Sequence, residues 1–281
     1  MYAAIAVLII MALLLYLWMP RNAGKDAKKN FAGHSFAHRG LYDNEAGIPE
    51  NSLKAFHRAM EAGFGCELDV QLTSDEHLVV FHDDNLKRAC GVDRLVRETS
   101  FEEISKLGLF GTDERIPTFD EVLAEVDGKE PLIVELKSER PDKRLNTRNC
   151  EETLKRLRNY KGTFCIESFD PTIVGWFRKN APDIVRGQLS MRPKRYVGMN
   201  RFEGFLLGDL LLNCIGRPDF IAYDISMGVP FCLKLCRKLG AFYASWTCRE
   251  PSEHEARLAD GQAVIFEKYV PEKHAEEAQN A

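Results

Sequence analysis

Short strand-like runs alternate with segments of helical periodicity along most of this 281-residue chain. Strands that alternate with helices favour a parallel sheet with helices packed outside it. About eight such repeats within roughly 250 residues predict a TIM-type (β/α)8 barrel, and an open doubly wound sheet is the alternative. Nine runs are predicted to be strands: His34–Arg39, Cys66–Leu72, Leu78–Phe81, Leu132–Leu136, Thr163–Ser168, Val185–Leu189, Phe220–Asp224, Phe242–Trp246 and Ala263–Phe266.

The N-terminal segment is predicted to be a transmembrane helix that precedes the barrel. Residues 2–19 hold no charged side chain. A run of this length is close to the minimum for a helix that crosses a bilayer. A cleaved signal peptide carries its positive charge before the apolar run. Here the order is reversed, so an uncleaved, single-pass anchor over residues 1–19 is favoured. The positive-inside rule then places the rest of the chain on the cytoplasmic side of the cell membrane. The basic residues that follow the run are Arg21, Lys25, Lys28 and Lys29.

The composition of the remaining chain limits its partners. Residues 20–33 are polar and are interpreted as a linker, and residues 34–281 are assigned to the barrel. The formal net charge is −4 and no basic stripe is present, so a nucleic-acid partner is not expected. A small or lipid-derived substrate is favoured instead. None of the eight cysteines forms a CxxC pair. Cys232 and Cys236 share a helix face, but without a second ligand pair they are interpreted as core thiols rather than zinc ligands.

Chemically reactive side chains gather at the ends of the early strands. In a strand, residues i and i+2 point to the same side, so Glu67 and Asp69 share one face, as do Glu135 and Lys137. In a barrel whose active site lies at the C-terminal rim, these groups would meet at one mouth. The motifs concerned are His38-Arg39-Gly40, Pro49-Glu50-Asn51-Ser52, Glu67-Leu68-Asp69, His82-Asp83 and Glu135-Leu136-Lys137.

Three carboxylates at one mouth would repel each other unless a cation balanced them. Oxygen ligands favour Mg²⁺ or Ca²⁺, allow Mn²⁺ and disfavour Zn²⁺. The histidines His38 and His82 have side chains suited to proton transfer near neutrality. Each motif taken alone has a structural explanation, such as a chance tripeptide, an exposed strand edge or a surface ion pair. Their order, all at strand ends, favours a functional site.

This succession of motifs resembles the glycerophosphodiester phosphodiesterase family, over approximately residues 34 to 270. The resemblance implies a TIM barrel that hydrolyses glycerophosphodiesters to glycerol 3-phosphate and an alcohol, with Ca²⁺ or Mg²⁺. It also implies the role of each matching residue. His38 and His82 correspond to the acid and base, and Glu67, Asp69 and Glu135 to the metal ligands. The substrate-binding residues that it implies are Arg39 and Lys137 for the phosphate, Glu50 in the site lining and Trp246 near the alcohol.

Two departures from the family pattern concern the late strands. Thr247 is followed by Cys248 and Arg249 rather than by Val-Asn, and the last strand reads VIFEKYVPE without the usual Asp-containing turn. Both affect the expected substrate preference more than the chemistry.

Two alternatives remain open at this stage. A lysophospholipase D acting on membrane lipid would share every catalytic residue. The apolar stretch 203–215 could then approach the bilayer, although its length favours a core helix. A catalytically inactive, membrane-anchored binding module on the same barrel is the second alternative, but the chain keeps all of the residues that such a module typically loses.

Overall fold

The predicted strand runs all form strands in the computed structural model, which describes residues 2–21, 25–139, 142–224 and 226–271. Eight of the strands are parallel and form a closed barrel, because β1 pairs with both β2 and β9. The predicted TIM-type barrel is therefore confirmed, and the open sheet is wrong. The strands are β1 Ser35–His38, β2 Gly65–Leu72, β3 Leu78–Val80, β4 Leu132–Leu136, β5 Phe164–Ser168, β6 Arg186–Ser190, β7 Phe220–Asp224, β8 Phe242–Cys248 and β9 Ala263–Phe266.

Strand β3 is the one that does not belong to the barrel wall. It pairs antiparallel with the upper part of β2, with Val70 opposite Val80 and Leu72 opposite Leu78. The chain thus extends beyond the C-terminal end of the barrel along β2 and returns towards it along β3. This hairpin carries the residues after Phe81 back to the mouth of the barrel, since the Phe81 amide donates to the Asp69 carbonyl at 2.9 Å.

Helices surround the barrel and bury their apolar faces against it. Ser52 begins one of them by accepting a hydrogen bond from the Ala55 amide at 3.1 Å, and Phe56 and Ala59 of that helix are fully buried. The helices are α1 Tyr2–Trp18, α2 Lys25–Phe31, α3 Leu53–Glu61, α4 Lys87–Cys90, α5 Phe101–Ile104, α6 Phe119–Val126, α7 Lys143–Leu157, α8 Pro171–Asn180, α9 Arg201–Gly208, α10 Asn213–Gly216, α11 Phe231–Lys238 and α12 Pro251–Ala259, with short 3-10 turns at Val96–Glu98 and Pro193–Arg195.

The strand alternation divides the core into two layers. Side chains inside the barrel include Phe36, Ile133, Cys165 and Phe220, which belong to one buried cluster. Their strand neighbours face outward and pack against the helices. Side chains along a strand alternate between the two faces. The residue two positions after an interior residue therefore also faces inward, and it lies closer to the mouth of the barrel.

The segment predicted as a linker is partly folded. Within residues 20–33, helix α2 leads to Phe31, which is 2% exposed and stacks on Phe36 with ring centroids 6.4 Å apart. The linker interpretation missed this helix because polar composition hides the one apolar ring that fills the floor of the barrel. Cys232 and Cys236 are buried free thiols, as predicted.

Helix α1 covers most of the predicted anchor. It has 17 residues, and its C-terminal end contacts the barrel near α10 and α11. There the Trp18 indole donates to the Asp209 carbonyl at 2.7 Å, and the Arg217 guanidinium lies over the Tyr16 ring. No helix among the described residues has both the length and the apolar character needed to cross a membrane. The predicted transmembrane helix is thus not confirmed.

Candidate active site

Three buried carboxyl groups meet at the C-terminal mouth of the barrel. Glu67 and Asp69 come from β2 and Glu135 from β4, with Asp69 directly opposite Glu135 in the sheet. One oxygen of each lies within 4.8 Å of an oxygen of the other two. The three residues are 3%, 1% and 7% exposed, respectively. The spacing argument from the sequence is therefore confirmed for these positions.

The charge balance in this cluster is uneven. Burial, together with Asp69 and Glu135, raises the pKa of Glu67 well above its usual range. Burial also raises the pKa of Glu135, to about 7, although Lys137 opposes the shift. Burial acts the same way on Asp69, but Lys137, His82 and Arg39 outweigh it and hold its pKa well below normal. Asp69 is the group that keeps its charge most readily.

Lys137 supplies the nearest positive charge. Its ammonium nitrogen lies 2.7 Å from Asp69 Oδ1 and 2.9 Å from Glu135 Oε1. One ammonium cannot balance three ionised carboxylates in a water-poor site. A hard divalent cation bound to these oxygens would make the ionised forms of Glu67 and Glu135 favourable, so the donor set fits Mg²⁺ or Ca²⁺. Its binding would release protons, because the pKa values of both glutamates are raised in its absence.

His38 is oriented by a carboxylate from the last strand region. Its Nδ1 lies 2.6 Å from Glu267 Oε2, and because this carboxylate is ionised Nδ1 acts as the donor, which leaves the lone pair on Nε2. His38 Nε2 is 3.8 Å from Glu67 Oε2. Burial lowers the pKa of His38, while the Glu267 hydrogen bond raises it and offsets part of that shift. The Glu267 pKa is itself lowered to about 2: burial opposes the shift, but the hydrogen bond and charge of His38 outweigh it.

His82 has the same kind of partner. The β2–β3 hairpin brings it to the mouth, where its Nδ1 lies 2.6 Å from Asp83 Oδ1. Arg88 in turn donates from Nε to Asp83 Oδ2 at 2.6 Å. Burial and the charge of Lys137 lower the pKa of His82, against the opposing effect of Asp69. Both histidines therefore favour the neutral form and direct Nε2 away from the carboxylate that holds them.

Arg39 occupies a constrained turn directly after β1. Its φ of 57° lies in the left-handed region, which is costly for a side chain of this kind. The turn is stabilised because the Arg39 amide donates to Glu67 Oε2 at 3.2 Å. The following residue must be glycine, since a Cβ on Gly40 would lie 2.8 Å from the backbone of Ala55.

The structure places Glu50 between two arginines at the mouth. Both of its oxygens are engaged by arginines: Arg39 Nη1 donates to Oε1 at 2.7 Å, and Arg88 donates to Oε1 at 2.7 Å and to Oε2 at 3.0 Å. It is 6% exposed. Glu50 therefore fixes two guanidinium groups at the mouth, one beside each histidine.

Trp246 lies at the end of β8 and forms an aromatic wall with Phe169 and Tyr196. Its ring meets Phe169 edge-on with centroids 5.7 Å apart, and Phe169 meets Tyr196 edge-on at 6.3 Å. A cavity of about 780 Å³ opens beside this wall, and it is lined by His82, Glu135, Lys137 and Phe169 among other residues. The nine predicted site residues all lie at this end of the barrel.

Several side chains of the site were not predicted as functional. Glu267 and Asp83 hold the histidines, Arg88 joins Asp83 to Glu50, and Asn51 donates from Nδ2 to Asp69 Oδ2 at 2.9 Å. Glu167 of β5 is also buried, opposite Glu135 in the sheet, and burial with Glu135 and Asp69 raises its pKa. The alternation of strand side chains could have predicted that Glu167 and Glu267 face the inside of the barrel. Cys165 and Ile265, two residues earlier along the chain, face the interior.

Comparison with known proteins assigns the chain to a family. The model of the glycerophosphoryl diester phosphodiesterase family matches residues 38–265. The chain belongs to this family. A glycerophosphodiester phosphodiesterase of Caldanaerobacter subterraneus subsp. tengcongensis is 32% identical over 238 residues, which cover 80% of this chain and 89% of that protein. Like its family, the chain is a phosphodiesterase.

Two further proteins are similar to the chain, one in fold and one over part of its length. A phosphodiesterase of Oleispira antarctica, solved in complex with the product sn-glycerol-3-phosphate, shares the fold with a TM-score of 0.69 and 23% identity. The alignment covers 91% of this chain and 99% of that one. Lysophospholipase D GDPD1 of Homo sapiens is 32% identical over 136 residues, which are 44% of this chain and 42% of that protein.

Proposed function

We propose that this family member hydrolyses glycerophosphodiesters to glycerol 3-phosphate and an alcohol, with one divalent cation and with His38 and His82 as acid and base. The observation that carries the proposal is the pair of histidine–carboxylate contacts, each 2.6 Å long, beside the three buried carboxyl groups. The relatives named above support the choice of substrate, since one bears this activity in its name and another was solved with glycerol 3-phosphate.

Glu67, Asp69 and Glu135 would hold the cation, Mg²⁺ or Ca²⁺ by ligand type and Mn²⁺ as a further choice. When bound, the cation supplies Lewis-acid polarisation of the phosphoryl oxygens. Arg39 adds positive charge from the same side: its buried Nε has no hydrogen-bond partner among the described residues and lies 3.7 Å from Asp69 Oδ2. Lys137 is the second protein cation near the phosphate.

The two histidines provide the proton transfers. One Nε2 takes a proton from the attacking oxygen, either water or the 2-hydroxyl of the glycerol unit, as the new P–O bond forms. The ester P–O bond breaks, and the other histidine, in its protonated form, gives its proton to the leaving alcohol. If the glycerol hydroxyl attacks, a cyclic phosphate results, and water then opens it with the histidines in exchanged roles. The carboxylates of Glu267 and Asp83 stabilise whichever imidazolium forms.

The test is release of glycerol 3-phosphate from glycerophosphocholine by the purified full chain. Treatment with a chelator is expected to lower the rate at least 100-fold, and Mg²⁺ or Ca²⁺, but not Zn²⁺, should restore it. Unchanged release after chelation would contradict the cation requirement. No release with any of these cations would contradict the proposed substrate or favour the inactive binding module.

Lysophospholipase D activity is the second candidate. It is favoured by the aromatic wall of Trp246, Phe169 and Tyr196, which offers an apolar surface beside the phosphate site. The human relative bears this activity in its name. Comparing kcat/KM for lysophosphatidylcholine and glycerophosphocholine under the same cation decides between the two substrate classes.

We also propose that residues 1–19 attach the chain to the cell membrane, with the barrel on the cytoplasmic side. Support comes from the uncharged stretch 2–19, the basic residues after it, and exposed apolar side chains along α1 such as Leu8 and Leu13, which are 64% and 60% exposed. Cell fractionation should find the chain with membranes, and protease added to intact spheroplasts should leave the barrel uncut. Recovery in the soluble fraction, or cleavage of the barrel in intact spheroplasts, would contradict this.

Glu267 is expected to position His38 rather than to contact the substrate. Glu267→Gln removes a carboxylate that orients the imidazole and stabilises its charged form, so kcat should fall on the order of 10²-fold with little change in KM. Because Glu267 raises the pKa of His38, the limb of the pH–rate profile that reports His38 should move to lower pH. The matched control is Glu45→Gln, which changes an exposed acidic residue near the same end of the barrel. A fall in kcat with an unmoved pH profile would mean a structural role only.

A further inference from the structure

Apolar side chains are exposed on two neighbouring loops at the edge of the active-site mouth. Outside residues 2–19, the described part of the chain exposes eight large apolar side chains, and six of them lie on the loops after β6 and β7. We call this set the apolar rim. Its members are Val197, Phe202, Phe205, Met227, Val229 and Phe231, which are 93%, 67%, 46%, 56%, 39% and 74% exposed, respectively. Such clustering is unusual for a surface that faces only water.

Arginines join the two loops into one surface. Arg192 donates from Nη2 to the carbonyls of Met227 and Gly228, each at 3.1 Å. Arg195 donates to Ser226 Oγ at 2.9 Å and lies 2.8 Å from Asp224 Oδ2. The rim is therefore held in place by polar contacts beneath it, while its apolar side chains point outward.

The rim is continuous with the active site. Tyr196, at the base of the first loop, meets Phe169 edge-on, and Phe169 meets Trp246. Three leucines of the 203–215 stretch do not take part, since Leu207, Leu210 and Leu211 are 5%, 1% and 9% exposed. The core interpretation of that stretch thus holds for these three leucines, while Phe205 within it and Phe202 just before it belong to the rim.

The charge of the rim differs from that of the chain. Residues 191–205 contain four basic side chains and one acidic one, Glu203, although the whole chain has a net charge of −4. Lys194 and Arg201 are exposed next to the apolar side chains. Aromatic side chains interspersed with exposed basic ones are the composition that binds the interface of a bilayer with anionic headgroups.

Helix α1 is attached to the same side of the barrel. Its last turn contacts Asp209, between α9 and α10, and Trp18 lies close to Cys236 of α11. Helices α9 and α10 follow β6 and helix α11 follows β7, so they belong to the same two connections as the rim. The molecule thus has two separate apolar surfaces on neighbouring elements, α1 beside α10 and α11 and the apolar rim on the loops after β6 and β7, and a lipid surface accounts for both.

We propose that the apolar rim binds an anionic lipid surface, so that the active-site mouth opens beside the headgroups. Binding by the rim is distinct from hydrolysis and from attachment by α1, and it would hold even if the proposed substrate were wrong.

Amide hydrogen exchange of the full chain with phosphatidylcholine–phosphatidylglycerol vesicles tests this. Peptides from 197–205 and 226–231 should exchange at least several-fold more slowly with vesicles than without them. Vesicles of phosphatidylcholine alone should protect these peptides much less. The double variant Phe202→Ser/Phe231→Ser should lose the protection at both loops while α1 peptides keep theirs, and Val270→Ser, an exposed apolar residue outside the rim, should behave as wild type.

The basic residues give a second measurement. Lys194→Gln/Arg201→Gln should raise the phosphatidylglycerol concentration for half-maximal rim protection roughly tenfold or more. Unchanged exchange of the rim on adding vesicles would overturn the proposal. So would protection that persists in the double serine variant, equal protection by uncharged vesicles, or protection that appears without lipid as the protein concentration rises, which would mean that a second copy of the chain covers the rim.

Discussion

His38→Ala and His82→Ala are each expected to lower kcat for glycerophosphocholine by about 10² to 10⁴, with the fold and cation binding retained. Each change removes a proposed proton-transfer group whose Nδ1 is held by a carboxylate. The measurement is steady-state release of glycerol 3-phosphate at saturating cation. His57→Ala is the matched control, because His57 is more than half exposed and bonds Glu125 on the helical wall.

A second substrate separates the acid from the base. A nitrophenyl ester of glycerol phosphate has a leaving group that needs no protonation, so the variant that lost the general acid should regain most of its rate. The variant that lost the base should not. If either alanine variant, folded and loaded with cation, stays within tenfold of wild type on glycerophosphocholine, the acid–base assignment is wrong.

Glu67→Gln is expected to abolish cation binding while leaving the cation-free fold unchanged. Burial raises the pKa of Glu67 well above its usual range, so the cation-free protein holds a neutral carboxyl that glutamine imitates in shape and charge. Wild type in cation at about 100 times Kd should gain roughly 2.7 kcal/mol in the free energy of unfolding. This corresponds to about 5–10 °C in Tm, and the variant should show almost none of it.

Asp69→Asn provides the contrast. Asp69 keeps its charge without the cation and bonds Lys137 at 2.7 Å, so asparagine should remove cation binding and also lower the cation-free stability, on the order of 3 kcal/mol. Thermal unfolding with and without Ca²⁺ or Mg²⁺ measures both effects. Glu102→Gln, at an exposed surface carboxylate, is the control. A Glu67→Gln variant that is still stabilised by cation as much as wild type would show that Glu67 is not a ligand.

The carboxylate cluster was predictable because strand geometry is local. Glu67 and Asp69 are two residues apart on one strand, so their common face follows from the period of two. That Glu135 joins them follows once the strands are parallel and adjacent, as β2 and β4 are. The role of Glu50 was not predictable in this way. Its position near the mouth followed from the motif, but its bonds to Arg39 and Arg88 depend on where the loop after β3 places Arg88.

Two features of the fold were not predicted, for physical reasons that the sequence does not display. The polar composition of residues 20–33 indicated a linker, yet Phe31 fills the floor of the barrel, because one buried ring decides where such a segment lies. The nine apolar runs indicated nine strands, but nothing in their pattern distinguished β3. Its antiparallel pairing with β2 depends on the hairpin that precedes it.

By itself, the sequence determined the barrel class, the face shared by the clustered carboxylates and the position of the two histidines at strand ends, since all of these follow from short-range periodicity and motif order. Only the tertiary structure decided that Glu267 holds His38 across 229 positions of chain, because that contact exists only when β9 closes on β1. It also decided which apolar residues of 197–224 and 226–231 are buried and which face outward. Burial depends on what packs against a side chain, and the partners come from distant parts of the chain.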